Sequence, residues 1–326
     1  MKRSILLLVA LLLIVPLTSS VSAQDGPSIA LFNPLGDNDY IVAAEKGVRE
    51  IVEGAGGSVQ AFNAGFDPAE QLNQIQDAIT AGTFDAFIIY SVDGVGVTVG
   101  VDAAAEAGIP VISLDAPINE NRQTLVPYKN VAGQIARTGL GDGKYIGEAI
   151  VMACEGVDPC KVAFLIGFEG FPLDLDRLAA VEDIVAAHPN IQIVTTQAAS
   201  YTAEEGNSVT ANILQANPDI NVIASVGDQM IVGAELAAED AGIEGIQYIG
   251  QGASIDGYEA VTEGRWFATI ANIPYTNGKI AGQMALQAID GTLIVRSVDM
   301  YNQAPPLPPS GPIITQENAA EFTPEW

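Results

Sequence analysis

Short apolar runs alternate with amphipathic stretches along most of this chain, with the rhythm of strands and helices. Val111-Ile112-Ser113-Leu114 is apolar at nearly every position, as a parallel strand covered by helices on both faces should be. Residues 68–81 instead carry Leu72, Ile75 and Ile79 at helical spacing, which predicts an amphipathic helix. Extended along the chain, the pattern predicts strands at 28–33, 58–62, 85–90 and 111–114 between helices at 39–53, 68–81 and 97–107. A stretch at 121–130, containing Pro127, breaks the rhythm and reads as a crossing between domains. Beyond it, helices at 131–153, 174–187, 203–216, 229–241 and 255–263 alternate with strands at 161–167, 191–197, 220–225, 246–250 and 267–271. A helix at 275–289, a strand-like run at 294–300, a proline-rich extended tail at 304–312 and a short turn of helix at 316–322 follow, and no chemistry is expected of that tail. Two rounds of β-α alternation predict an α/β fold of two similar doubly wound parallel sheets with right-handed crossovers. Ala237-Ala238-Glu239-Asp240-Ala241-Gly242-Ile243 echoes Ala104-Ala105-Glu106-Ala107-Gly108-Ile109 and places corresponding helix-to-strand joints in the two halves.

The joint at residues 107–115 organises the rest. Gly108 suits the left-handed position that closes a helix, Pro110 forbids more helix, and the strand that follows stops on Asp115. Ligands of such sheets bind beyond the carboxyl ends of the strands, so Asp115 is expected to face a crevice and to accept hydrogen bonds from two neighbouring hydroxyls. Asn38 and Tyr40 after the first strand, Tyr201, Asp228, Gln251 and Asn272 share this address at strand ends. Aromatic faces for the C–H side of a ring, with amides and carboxylates for its hydroxyls, suit a polyhydroxylated guest. Each residue taken alone has a structural alternative: Asn38 or Asp228 as helix caps, Tyr40 and Tyr201 as core.

Composition narrows the classes. Met1-Lys2-Arg3, the apolar stretch 5–17 and Val21-Ser22-Ala23 have the three-part layout of a secretory leader, so residues 1–23 are expected to be a signal peptide cleaved after Ala23, with the mature protein periplasmic or extracellular. A membrane anchor is disfavoured because the stretch is short and Pro16 interrupts it. The formal net charge is −27, from 40 Asp and Glu against 13 Lys and Arg, and loss of Lys2 and Arg3 makes it more negative still. Such a surface repels phosphate backbones, so nucleic acid is not an expected partner. Cys154 and Cys160 bracket a short turn and read, in an oxidising compartment, as a local disulfide contributing about 2 kcal/mol. His188 is the only histidine, which leaves no metal-ligand set and no Ser-His-Asp arrangement, and no cofactor is expected. Gly94-Val95-Gly96-Val97-Thr98-Val99-Gly100 with Asp115 imitates a dinucleotide fingerprint, but it follows the third strand and a loop intervenes. A secreted glycoside hydrolase using Asp115 and Asp228 is the rival from another class.

The chain resembles the periplasmic sugar-binding proteins of the ribose-binding type, the type I solute receptors of ABC importers. The resemblance runs through Ile29-Ala30-Leu31, Asn38-Asp39-Tyr40, Gly47, Gln74-Ile75-Gln76-Asp77, Ala107 to Ile112, Leu114-Asp115, Gly227-Asp228, Gly233-Ala234 and Ala268 to Asn272. It implies two lobes joined by three hinge segments, 27–129 plus 273–301 and 130–272 plus 302–326, closing on a sugar for delivery to a membrane permease, with a monomeric receptor and no catalysis. By position it implies Asn38 and Tyr40 as the first lobe's amide and stacking aromatic, Asp115 as the diol-binding acid, Tyr201 as a second-lobe aromatic and Asn272 as the hinge amide. Ala116 and Leu175 stand where the family often has arginine, Gly227 replaces an asparagine, and Gln251-Gly252 stands where Phe-Asp is common. These departures leave Arg177 and Asp228 as the expected polar contacts of the second lobe and put a ribose- or galactose-like specificity in doubt. A nucleoside, a signal molecule or an amino acid remains an alternative guest on the same fold.

Overall fold

A computed structural model describes residues 26–303 and 306–326; the expected signal peptide and its cleavage point lie outside the described residues. The first run of elements is β1 (Ser28–Asn33), α1 (Asp39–Gly54), β2 (Ser58–Asn63), α2 (Pro68–Ala81), β3 (Ala86–Ile89), α3 (Thr98–Glu106), β4 (Val111–Asp115) and β5 (Val131–Ala136). The second is α4 (Gly139–Ala153), β6 (Cys160–Ile166), α5 (Pro172–Val185), β7 (Ile191–Ala198), α6 (Ala203–Ala216), β8 (Val222–Ser225), α7 (Asp228–Ala241), β9 (Gln247–Gly252), α8 (Ile255–Thr262) and β10 (Ala268–Ala271). Then come α9 (Pro274–Ile289), β11 (Ser297–Asp299) and β12 (Ile313–Ile314).

These strands form two six-stranded sheets, in the orders β11-β5-β4-β3-β1-β2 and β12-β10-β9-β8-β6-β7. The five principal strands of each follow the same path, and every pairing is parallel except that of β12 with β10. Alternate residues of the first sheet serve two cores. Ile29, Leu31, Ile88, Ile112 and Leu114 pack with α1 and α9, whereas Ala30, Phe32, Phe87, Ile89 and Val111 pack with α2 and α3. Burial on both faces is why these strands are apolar throughout. The echoed joints are equivalent: Gly108 closes α3 before β4 and Gly242 closes α7 before β9, both left-handed, at φ of 77° and 66°. Gly100 packs α3 against Leu72 and Ile75, a structural use for one glycine of the apparent fingerprint.

The expected helix at 131–153 is a strand followed by a helix. Residues 131–136 pair with β4, Ile112 opposite Gly133, and with β11, Val298 opposite Ile135. The helix begins only after Thr138, whose hydroxyl caps Gly141 N at 3.1 Å. Periodicity cannot separate a short apolar strand from a helix entry, and here tertiary pairing decided. The boundary expected at 129/130 is corrected with it: residues 131–136 belong to the first sheet, and the chain crosses after β5, after β10 and again after β11. The run at 294–300 is strand only over Ser297–Asp299. Cys154 and Cys160 are bridged, closing the turn between α4 and β6.

Candidate functional site

Residues at the carboxyl ends of strands in both sheets line one cavity, the place where ligands of such sheets bind. From the first lobe come Leu35, Asn38, Tyr40 and Ile41 after β1, Phe66 after β2, Tyr90 after β3 and Arg137 after β5. Phe171 just before α5, Arg177 of α5, Tyr201 after β7, Gln229 after β8, Gln251 in β9 and Asn272 after β10 form the opposite side. Trp326, at the far end of the tail, completes the wall.

Local backbone strain marks the same rim. Among the described residues, the non-glycine positions at positive φ are Phe66, Asp115, Ser200, Tyr201 and Ala253, and every one lies at or just past the end of β2, β4, β7 or β9. Such conformations cost about 1–3 kcal/mol each and persist where packing over-determines them. The Phe66 and Tyr201 rings lie parallel to within 2°, with centroids 6.4 Å apart across the cleft, and Phe168 and Phe171 pack against Phe66. Gly167 makes room for Tyr201, because a Cβ there would lie 1.8 Å from its ring.

Of the eight expected contacts, Asn38, Tyr40, Arg177, Tyr201, Gln251 and Asn272 line the cavity, and Asp115 and Asp228 do not. Asp115 stands behind the wall, 2 % exposed. Its Oδ2 accepts from the Tyr40 hydroxyl at 2.6 Å and its Oδ1 forms an ion pair with Arg137 at 2.8 Å. Its carboxylate is therefore already engaged, and it orients two residues that do reach the cavity. Asp228 is the first residue of α7 and fully buried; it accepts from Ser254 N at 2.7 Å and from the Thr269 hydroxyl at 2.8 Å. Burial, with only neutral donors to oppose it, pushes this carboxyl up to about 6. Asn38 does cap α1, its Oδ1 accepting from Tyr40 N and Ile41 N.

A buried chain of charges runs behind the cleft from one lobe to the other. Arg137 donates to Asp142 at 2.8 Å and to the Tyr40 hydroxyl at 3.0 Å. Arg177 donates to Asp142 at 2.7 Å, and to Asp174 and the Tyr201 hydroxyl at 2.9 Å each. Tyr301 donates to the other oxygen of Asp142, and Asp174 also holds Gly167 N and Phe168 N. Burial opposes the charge on Asp142, but the two guanidiniums outweigh it and hold the carboxyl below its usual range. Burial likewise works against both arginines, and Asp115 and Asp142 for Arg137, with Asp142 first for Arg177, more than compensate, keeping each fully charged.

Asp115 Oδ1 has its ion pair but no hydrogen bond, and further unpaired atoms stand on the wall of the cavity itself. Both amide atoms of Gln251, Oδ1 of Asn272 and Oε1 of Gln229 are buried without hydrogen-bond partners, and all three residues line the cavity. Left empty-handed, a buried polar atom costs about 1–3 kcal/mol, so these atoms call for a guest that supplies hydroxyls. Sequence reasoning misses Arg137, because residues 131–153 read as one helix, and Trp326, because the tail reads as chemically idle. A lone arginine directly after an apolar run, and a tryptophan beside Glu325, were the available signals.

A profile of the periplasmic binding protein domain matches residues 29–293. The ribose import binding protein of Escherichia coli strain K12 is 28% identical over 291 residues, which cover 89% of this chain and 94% of that protein. A solute-binding protein of an ABC transporter from Actinobacillus succinogenes 130z, solved with bound D-allose, is 25% identical, with a TM-score of 0.76 over 91% of this chain and 100% of that one. The fold is shared equally with a solute-binding protein from Bacillus halodurans C-125 solved with myo-inositol, at a TM-score of 0.79 and 19% identity, covering 94% of this chain and 100% of that one. With its two matching sheets, its cleft at their strand ends and this match over most of its length, the chain belongs to the periplasmic binding protein family.

Proposed function

We propose that the protein is an exported, monomeric receptor that binds one uncharged, polyhydroxylated small molecule, a monosaccharide or cyclic polyol, between its lobes and delivers it to an ABC permease. The observation that carries this reading is the set of unpaired amide atoms on Gln251, Asn272 and Gln229 in a wall that also offers aromatic and aliphatic faces. The charges favour an uncharged guest. Among the lining residues there is no Asp or Glu side chain to meet an ammonium, and both arginines are committed to Asp115, Asp142 and Asp174. That weighs against an amino acid, and it leaves a hydrolase of the Asp115 and Asp228 kind without a carboxylate on the wall. Relatives named for ribose import and solved with allose point the same way. Because contacts come from both lobes, the solute would favour the shut form by differential affinity, the hinge motion known for such receptors.

A thermal-shift screen tests the reading with monosaccharides, cyclic polyols, nucleosides, amino acids and a chromogenic glycoside. A bound ligand at about 100 times its Kd adds about 2.7 kcal/mol to stability. Sugars or polyols should raise the melting temperature with no turnover of the glycoside. Stabilisation by amino acids alone, or release of the chromophore, would refute it.

A further inference from the structure

Trp326 stands in the wall of the cavity where the two lobes meet. Its ring meets that of Tyr40 edge-on, with centroids 5.3 Å apart and planes at 89°. Its Nε1 donates to the Gly252 carbonyl at 3.0 Å, and its own carbonyl accepts from Ile255 N at 2.6 Å. Glu325 accepts from Thr276 N at 3.0 Å and from the Thr276 hydroxyl, at the start of α9. Tyr40 and Thr276 lie on helices packed against the first sheet, while Gly252 and Ile255 belong to the second lobe. The tail therefore touches both lobes at once.

The strand end is shaped to receive the indole. Gly252 has a φ of +132°, and a Cβ there would lie 2.3 Å from Cζ2 of Trp326. Any side chain at that position would push the ring out of the wall. The residue before this glycine is Gln251, whose two amide atoms are unpaired, and Asn272 donates its backbone N–H to the Gly252 carbonyl while its own Oδ1 is unpaired. An aromatic ring beside unpaired amides matches one side of a sugar or cyclic polyol, with C–H groups toward the aromatic and hydroxyls toward the amides.

We infer that Trp326 is a ligand-contacting, specificity-determining residue: its indole closes the hinge side of the cleft and restricts the guest to a single small ring, excluding sugars that carry a second group on that side. This rests on the receptor reading, and it names which polyols the site takes. Trp266, the other tryptophan, is 2 % exposed in the second lobe's core and donates to Glu235 at 2.9 Å. A Trp266→Phe protein thus leaves Trp326 as its sole indole.

The experiment titrates Trp266→Phe by fluorescence and calorimetry with free monosaccharides, cyclic polyols and the phenyl glycosides of the same sugars. It then repeats the calorimetry with Trp326→Ala and Trp326→Phe. The indole emission should change on binding, Trp326→Ala should weaken the tightest free ligand by about tenfold or more and erase its advantage over the glycoside, and Trp326→Phe should restore most of both. Should Trp326→Ala lose its cooperative melt, Trp326→Phe carries the comparison alone, with a smaller loss of preference for the free sugar. Affinities within about twofold of wild type in both variants, with the glycoside preference unchanged, would overturn the inference while leaving the receptor reading in place. A panel in which wild type binds nothing would overturn the receptor reading itself.

Discussion

The two lobes share one strand order and even the same strained corners, yet they offer the cleft opposite kinds of wall. Phe66 follows β2 where Tyr201 follows the equivalent β7, and Asp115 ends β4 where Ala253 follows the equivalent β9, all at positive φ. On the first side the polar groups of the wall are tied down in advance: Tyr40 donates to Asp115, Arg137 is ion-paired with Asp115, and the Asn38 side-chain oxygen is spent on its own helix. On the second side and at the hinge, Gln229, Gln251 and Asn272 keep amide atoms without partners. The shared backbone fixes where side chains can enter the cleft, and the choice of side chain decides which lobe grips. The first lobe supplies a stiff, largely apolar face, and the second supplies the unmet hydrogen bonds that a ligand answers.

This contrast can be broken most severely at Asp142, which both arginines share. Asp142→Ala leaves two buried guanidiniums short of a counter-charge, and urea unfolding should show a loss of about 3–5 kcal/mol. A loss near zero would mean the buried chain of charges does not stiffen the hinge side. The next effect separates the acids behind the two walls. Asp115 faces an arginine, whereas Asp228 faces neutral donors and is held at about 6 against an ordinary value of 3.8. The folded state thus binds this proton more tightly than the unfolded chain, so its contribution is full below about pH 4 and is lost as pH rises through about 6. Two pH units correspond to about 3 kcal/mol. Relative to Asp228→Asn, wild type should lose that much between pH 4 and pH 7 in urea midpoints; parallel profiles would contradict the assignment.

Smaller effects sharpen the contrast at the walls themselves. Gln251→Leu removes the unpaired amide, so the ligand-free protein should melt no lower than wild type while polyol affinity falls about tenfold or more by calorimetry. Tyr40→Phe should do the reverse. It removes a hydroxyl already shared by Asp115 and Arg137, costing about 1–2 kcal/mol of stability with affinity changed by less than about threefold. If Tyr40→Phe cost more affinity than Gln251→Leu, the roles given to the lobes would be exchanged.

Much of the fold was legible because burial on both faces leaves an unmistakable mark: Val111 to Leu114 reads as a covered strand without any structure in hand. Residues 131–136 did not, since their identity as strand depends on pairing with β4 and β11. The address of the site at strand ends was equally readable, and six of eight expected residues line one cavity. What sequence does not carry is who already holds whom. Asp115 reads as free because Arg137, which pairs with it, lies within a segment that reads as helix, and Asp228 reads as a contact because nothing local reveals Ser254 and Thr269 behind it. Trp326 was hidden for a similar reason: only tertiary contact brings the tail to Gly252.

The most direct test is a crystal structure with the tightest ligand of the screen bound. Ligand hydroxyls should lie within about 3.2 Å of the amide atoms of Gln251, Asn272 and Gln229, while Asp115 remains bonded to Tyr40 and Arg137. A ligand held instead by the Asp115 carboxylate, with those amides still unpaired, would contradict the division of labour between the lobes.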